Sequence, residues 1–182
     1  MLNLPTGVMI APIAEHSIVK SKLLYLIEDV ITDYPQKTLN PVGYRFDFDL
    51  SLRSDYKPGY RKILHDTVHP YLKEYARTLG MGVDRYSPQW FQQYTTGTSF
   101  GWHQHNMHFA YIYYLELPDP DESTEFLQYG RFNVQEGDLL VFPSWFVHRS
   151  ADIKSDKRKT ILAGNVEFKV DRELIKINYE DR

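Results

Sequence analysis

Gly137-Asp138-Leu139-Leu140-Val141-Phe142-Pro143-Ser144-Trp145-Phe146-Val147-His148 is the stretch on which the reading of this chain turns. An apolar strand runs into a Pro-Ser turn, and a second short strand carries a histidine back across the fold. Far upstream stands His103-Gln104-His105. Side chains alternate along a strand, so two histidines two residues apart point to one face. A third imidazole from a distant strand can close that pair into one face of an octahedron and leave the other face open.

The surrounding pattern is that of many short strands. Segments 89–96, 100–106, 110–117, 124–129, 131–134, 138–142, 145–150 and 159–169 read as strands punctuated by Gly and Pro. Tyr111, Tyr113, Leu115 and Leu117 alternate with Ile112, Tyr114 and Glu116, which suits a strand packed on both faces. Gln135-Glu136-Gly137-Asp138 reads as a hairpin-like turn. Before this region the period is helical. Ile18, Leu23, Leu26, Ile27, Val30 and Ile31 predict a helix over 15–33 that Tyr34-Pro35 ends. A second helix is predicted from Arg61 to Leu79, stopped by Gly80 and broken or kinked at Pro70. Residues 5–13 read as a short strand or arm, and 36–59 as an irregular connector or a loop over a site. Helices first and strands after predict a mainly β fold, a β-sandwich or jelly roll with a helical N-terminal layer. The expected division is one domain over 1–182: a helical layer at 1–82, a β core at 83–170 and a tail at 171–182.

Composition excludes several classes. With 182 residues, 42% hydrophobic and 15% aromatic, the chain can bury a core. A net charge of −3 gives no sign of a nucleic-acid partner, and no run approaches a membrane span. There is no cysteine, so disulfides, thiolate metal sites and cysteine nucleophiles are out. No basic segment precedes an apolar stretch at the N-terminus, so a cytoplasmic protein is the expectation.

Of the other histidines, His108 has odd spacing from His105 and points to the opposite strand face. His16, His65 and His69 fall in the helical part. His65 and His69 are four apart on one helix face, but no Glu follows His65, so the metalloprotease pattern is missing. Ten residues past His148, Arg158-Lys159-Thr160 places an arginine and a hydroxyl on one strand face, a pair suited to a carboxylate.

Tyr94-x-x-Gly97-x-x-Phe100-x-x-His103-x-His105 resembles the first metal strand of the Fe(II)/2-oxoglutarate-dependent oxygenases, above all the prolyl 4-hydroxylase-like branch. Gly137–His148 resembles the family's second metal strand, and Arg158-x-Thr160 its Arg-x-Ser signature. Phe142-Pro143-Ser144-Trp145 and Tyr113-Tyr114-Leu115 are similar to stretches of small oxygenases of phage and bacteria. The resemblance covers residues 90–168. It implies a double-stranded β-helix, a jelly roll of cupin type. It implies that His103, His105 and His148 hold Fe(II), and that 2-oxoglutarate binds there with Arg158, Thr160 and Tyr94 around it. Dioxygen would then be consumed, succinate and CO2 released, and a small-molecule or peptide substrate hydroxylated. One position departs from the pattern: the family's His-x-Asp is His103-x-His105 here, which makes the centre one unit more positive.

Two other readings stay open at this stage. One is a three-histidine, cupin-like dioxygenase that uses no 2-oxoglutarate, favoured by the missing carboxylate. The other is a non-catalytic β-sandwich that binds a sugar or partner and keeps a relic site. Trp102 and Trp145 are candidate pocket walls or core, and Gly97 and Gly101 candidate bulges.

Overall fold

The computed structural model describes residues 5–171; the expected tail therefore lies, apart from Asp171, outside the described residues. Strand β1 (Met9–Pro12) leads into helix α1 (His16–Asp33), then β2 (Arg45–Phe46), the single turn α2 (Phe48–Ser51) and helix α3 (Tyr60–Thr78). Nine strands follow: β3 (Met81–Tyr86), β4 (Trp90–Tyr94), β5 (Phe100–His103), β6 (Phe109–Glu116), β7 (Glu125–Phe126), β8 (Gly130–Arg131), β9 (Asp138–Pro143), β10 (His148–Ser150) and β11 (Lys159–Val170). A 3-10 turn at Pro120–Glu122 precedes β7.

The strands form two antiparallel sheets. The larger has the order β1-β9-β6-β11-β4-β2, with β3 also paired to β11, and the smaller the order β5-β10-β7-β8. Between the sheets lies one apolar cluster, in which Phe126 of the small sheet meets Phe142 of the large one at 4.9 Å between ring centroids. The other face of the large sheet is covered by α1 and α3. There Leu23, Ile27, Val30, Leu64, Val68 and Leu72 pack on Tyr111, Tyr113, Leu139, Val141 and Leu162. This is the jelly roll with a helical layer that the strand pattern predicted, and the double-stranded β-helix that the family resemblance implied.

The helices form where the apolar stripes lie. Leu23, Ile27 and Val30 are the buried face of α1, while Ile18, counted in its stripe, is 78% exposed. Tyr60, Leu64, Val68 and Leu72 recur every fourth residue along α3. That stripe explains why α3 runs unbroken through Pro70, against expectation. An interior proline costs about 3 kcal/mol, whereas each buried aliphatic side chain contributes roughly 1.5–3 kcal/mol. Pro70 itself is exposed, so the carbonyl it strands faces water.

The two faces of β6 carry the expected alternation up to a bulge. Tyr111, Tyr113 and Leu115 face the helices, and Ala110, Ile112 and Tyr114 face the small sheet. Between the pairs Thr160↔Glu116 and Ile161↔Tyr114 the register shifts. One extra residue reverses the phase, so Leu117 joins the inter-sheet cluster although it shares parity with Tyr113. Three further expectations are corrected. The Gln135–Asp138 turn links β8 to β9, which belong to different sheets, and is no hairpin. Only Gly130–Arg131 of the 131–134 region pairs as a strand, and β10 starts at His148 because 144–146 is spent on the turn. Strand β3, unread in the sequence, pairs with the end of β11.

Candidate metal centre and cavity

His103 and His148 meet because their strands pair in that register: β5 and β10 are antiparallel, with His148 directly opposite His103. His105 lies two residues past the end of β5, and its backbone N–H donates to the Ser144 carbonyl at 2.9 Å, which ties it to the turn before β10. Ring centroids are 4.2 Å apart for His103–His148, 5.1 Å for His103–His105 and 5.2 Å for His105–His148. One ring nitrogen from each lies within 4.8 Å of the other two.

The protonation of these rings follows from their surroundings. His103 Nδ1 is 2.9 Å from the Gly101 carbonyl, and His148 Nδ1 is 2.8 Å from the Phe146 carbonyl. A carbonyl only accepts, so both Nδ1 atoms donate and both Nε2 atoms keep a free lone pair. Burial holds all three imidazoles in the neutral form: His103 is lowered, His105 is pushed down to about 4 and His148 to about 3, with the neighbouring imidazoles adding to the effect at His105 and His148. Three neutral nitrogen donors, two of them oriented by backbone carbonyls, fit a divalent first-row metal such as Fe(II). The group contains no carboxylate. His108 turns away, as expected, to the Phe168 carbonyl at 3.2 Å.

The histidines border a cavity of about 240 Å³ between the sheets. Its walls are mostly aromatic: Trp90 and Tyr94 of β4, Phe46 and Phe48 beside β2, Phe100 and Phe142. Segment 36–59 thus walls the site. Asp47 fixes it there: one carboxylate oxygen accepts from the Phe91 N–H at 2.9 Å, and the other accepts from the Tyr56 and Tyr60 hydroxyls at 2.6 Å each. Trp102 and Trp145 are not core, being 41% and 61% exposed, and neither lines this cavity, although Trp102 lines a second one next to it.

The sequence placed Arg158 and Thr160 beside the histidines, and the structure turns both to the helix side of the sheet. Arg158 and Thr160 share the parity of Leu162 and Val166, which face the helices. Arg158 Nε donates to Glu116 Oε2 at 2.8 Å, its Nη1 pairs with Glu28 of α1, and Thr160 Oγ1 donates to Glu116. Neither lines the cavity. Lys159, between them, is not in the wall either, but it shares the parity of the wall residues Ile161 and Ala163 and contacts two others, Ser150 and Tyr94. It is 0% exposed. Its Nζ donates to the Glu122 carbonyl at 2.6 Å and to Ser150 Oγ at 3.0 Å. The same Nζ lies 5.2 Å from the centroid of the Tyr94 ring, as in a cation–π contact. Burial pushes Lys159 down to about 7, opposed by the nearby Glu122 charge. Tyr94 is where the sequence placed it, in the cavity wall, with its hydroxyl in reach of Ser150 and held well above its ordinary value by burial. The signal for Lys159 was present: a lysine in strict alternation with Ile161 and Ala163 on an inward face.

No protein-family model matches the chain, and no curated protein matches it in sequence. Solved structures do match its fold. A viral collagen prolyl hydroxylase from Paramecium bursaria Chlorella virus-1, in complex with 2-oxoglutarate, superposes with a TM-score of 0.58 at 13% identity, over 87% of this chain and 94% of that one. A Pseudomonas putida prolyl-4-hydroxylase gives 0.56 at 14% identity, over 88% and 92%. HygX from Streptomyces hygroscopicus, with nickel and 2-oxoglutarate bound, gives 0.63 at 13% identity, over 87% and 81%. The chain therefore has the fold of the 2-oxoglutarate- and iron-dependent oxygenases. Among the described residues no helix is long and apolar enough to cross a membrane.

Proposed function

We propose that this chain, built on that fold, is an Fe(II)/2-oxoglutarate-dependent oxygenase, and that its reaction is a hydroxylation. The observation that carries the reading is the cluster of three convergent neutral imidazoles on one small cavity, with a buried lysine held against two of its wall residues, Tyr94 and Ser150. In this reading His103, His105 and His148 hold Fe(II). Lys159 receives the far carboxylate of 2-oxoglutarate, in place of Arg158 and Thr160. Its Nζ has three N–H donors and uses two on protein acceptors, so one remains for the cosubstrate. Tyr94 and Ser150 border that position.

The metal, when bound, supplies the activation of dioxygen and the oxidation of a C–H bond, with succinate and CO2 as co-products of 2-oxoglutarate. The chain does the rest. Backbone carbonyls of Gly101 and Phe146 hold two ligand rings in one tautomer. The walls Trp90, Phe46, Phe48 and Phe142 keep water out, and Gln92 gives the cavity a polar group for orientation. The cavity of about 240 Å³ has room for a ten-heavy-atom dicarboxylate.

The test is an anaerobic absorbance titration of metal-free protein with Fe(II) and then 2-oxoglutarate. A visible band that needs both supports the reading. Bound iron without the band moves the assignment to the three-histidine dioxygenase that binds its substrate directly, which the carboxylate-free ligand set favours. Failure to bind iron at all refutes both.

A further inference from the structure

The side chain of Gln92 has no hydrogen-bond partner among the described residues, although it is 8% exposed and sits in the cavity wall. Strand alternation directs it inwards. Trp90, Gln92 and Tyr94 of β4 line the cavity, while Phe91 packs on the helices and Gln93 donates to Glu28 of α1 at 3.4 Å. Phe46 of β2 and Ile161 of β11 flank Gln92 on the neighbouring strands, and both are cavity residues. Its amide atoms are open to the cavity, unlike the enclosed and unpartnered oxygens of Ser144 and Asn165. A carboxamide held among apolar walls without a partner is costly, where a leucine would simply pack. Other polar side chains of the wall are committed. Thr124 Oγ1 accepts from the Tyr114 hydroxyl at 2.9 Å, and Ser150 Oγ accepts from Lys159 at 3.0 Å. Arg149, out of phase with His148 and Ser150, turns to Glu125 and to the Trp102 ring.

Register decides what Gln92 can reach. Lys159 pairs with Tyr94, Ile161 with Gln92 and Ala163 with Trp90. Alternate residues of an antiparallel strand are about 6.8 Å apart, so Gln92 stands one such step from the Lys159 end. On the facing sheet the same step separates Ser150, bonded to Lys159, from His148. Gln92 and His148 are therefore level on opposite walls. A five-carbon dicarboxylate, with C–C bonds of about 1.5 Å, measures roughly 5 Å between its end carbons. With one carboxylate at Lys159, the other comes level with Gln92.

We infer that Gln92 binds the keto-acid end of the cosubstrate: its side-chain N–H donates to the carboxylate next to the keto group. An amide supplies that donor without adding a further charge beside the metal site. The inference rests on the oxygenase reading, with Lys159 at the far carboxylate. Calorimetry on the full-length, Ni(II)-loaded protein tests it with two ligands, 2-oxoglutarate and pyruvate. Pyruvate keeps the keto-acid end and lacks the far carboxylate. Gln92→Leu should weaken both ligands by about tenfold, whereas Lys159→Met should weaken 2-oxoglutarate alone. Without ligand, Gln92→Leu should keep the wild-type Ni(II) affinity and a melting midpoint no lower than wild type, since it loses no hydrogen bond within the protein. In isotope-labelled, Zn(II)-loaded protein, the side-chain amide resonances that Gln92→Leu removes should shift when 2-oxoglutarate binds. Wild-type affinities in Gln92→Leu overturn the inference and leave the oxygenase reading standing. So does a loss confined to 2-oxoglutarate, a bound cosubstrate without the amide shift, or a variant that loses Ni(II) affinity and melts lower, which marks a packing role. Wild-type protein that binds neither ligand refutes the oxygenase reading and the inference with it.

Discussion

With Lys159 as the proposed carboxylate anchor, the affinity for 2-oxoglutarate is expected to depend on pH near neutrality. In the ligand-free protein the lysine Nζ is pushed down to about 7 by burial, which the Glu122 charge opposes and the Arg131 charge reinforces. Tyr94, the other titratable group in contact, stays protonated throughout because its own value is far above the range. A carboxylate placed on Nζ favours the ammonium, so the bound value rises and binding takes up a proton wherever the free lysine is neutral. The apparent Kd then grows by the factor 1 + 10^(pH − pKa). Between pH 6.5 and 8.5 this is a loss of about 25-fold for a free pKa of about 7. The histidines do not contribute, since burial keeps them neutral across this window. Calorimetry of 2-oxoglutarate with Ni(II)-loaded protein, in buffers of different ionisation enthalpy, measures both the affinity and the proton count. Proton uptake should climb from roughly a quarter at pH 6.5 towards one at pH 8.5. Lys159→Met should bind more weakly, by about 10- to 100-fold at pH 6.5, and show no pH slope. A flat wild-type profile with no proton uptake would refute the assignment of Lys159 as the anchor.

Arg158→Ala should leave 2-oxoglutarate affinity within about twofold and lower stability by about 1 kcal/mol, discounted because Arg158 and Glu28 are partly exposed; a denaturant titration beside the calorimetry separates the two effects. Gly164→Ala should destabilise by about 1–3 kcal/mol or more, because a Cβ there would sit 2.4 Å from Tyr111 Oη and 2.6 Å from its Cζ. Thermal melting reads this, and Tyr111→Phe should not restore it, since the ring carbon remains in the way. Asp47→Ala removes the shared acceptor of Tyr56, Tyr60 and the Phe91 N–H. It should cost about 3 kcal/mol or more and weaken 2-oxoglutarate binding by loosening Phe46 and Phe48. An unchanged melting midpoint would show that the loop is held by other contacts.

Strand periodicity made the histidine cluster legible and the proposed anchor illegible, for one reason. Phase propagates reliably only along an unbroken ladder. The register of β10 on β5 sets His148 opposite His103. His105 lies two residues past the end of β5, off the ladder, and is held by its N–H on the Ser144 carbonyl. Its spacing pointed to the cluster, but the contact that fixes it is long-range. Arg158 stands before β11, at the end of a connection from β10 whose length in sequence carries no phase. A motif match fixed the strand and missed the face. The bulge at Thr160/Ile161 then turns Glu116 to the helix side, where Arg158, Thr160 and Glu28 gather on it. Those pairs are long-range, joining residues 42, 130 and 44 positions apart, which no local pattern encodes. The same holds for Asp47, whose three donors come from α3, from the loop before it and from β4.

The departure at His105 and the choice of lysine bear on each other electrostatically. Replacing a ligand carboxylate with imidazole adds one positive charge at the centre. Arg158, as the anchor, would have placed a second permanent cation in the same low-dielectric cavity before the dianionic cosubstrate arrived. A lysine held near 7 avoids that cost: the empty cavity can shed the proton, and the dianion recruits it on binding. The three-histidine ligand set and a titratable anchor are thus compatible in a way that three histidines and an unpaired arginine are not. Lys159→Arg should therefore weaken metal binding as well as disturb packing. The metal loss should be partly recovered in His105→Asp/Lys159→Arg, where the carboxylate offsets the added permanent charge. Ni(II) affinities of the two single variants and the double, measured without 2-oxoglutarate, decide it. Strictly additive losses would show that the two positions are not coupled through charge.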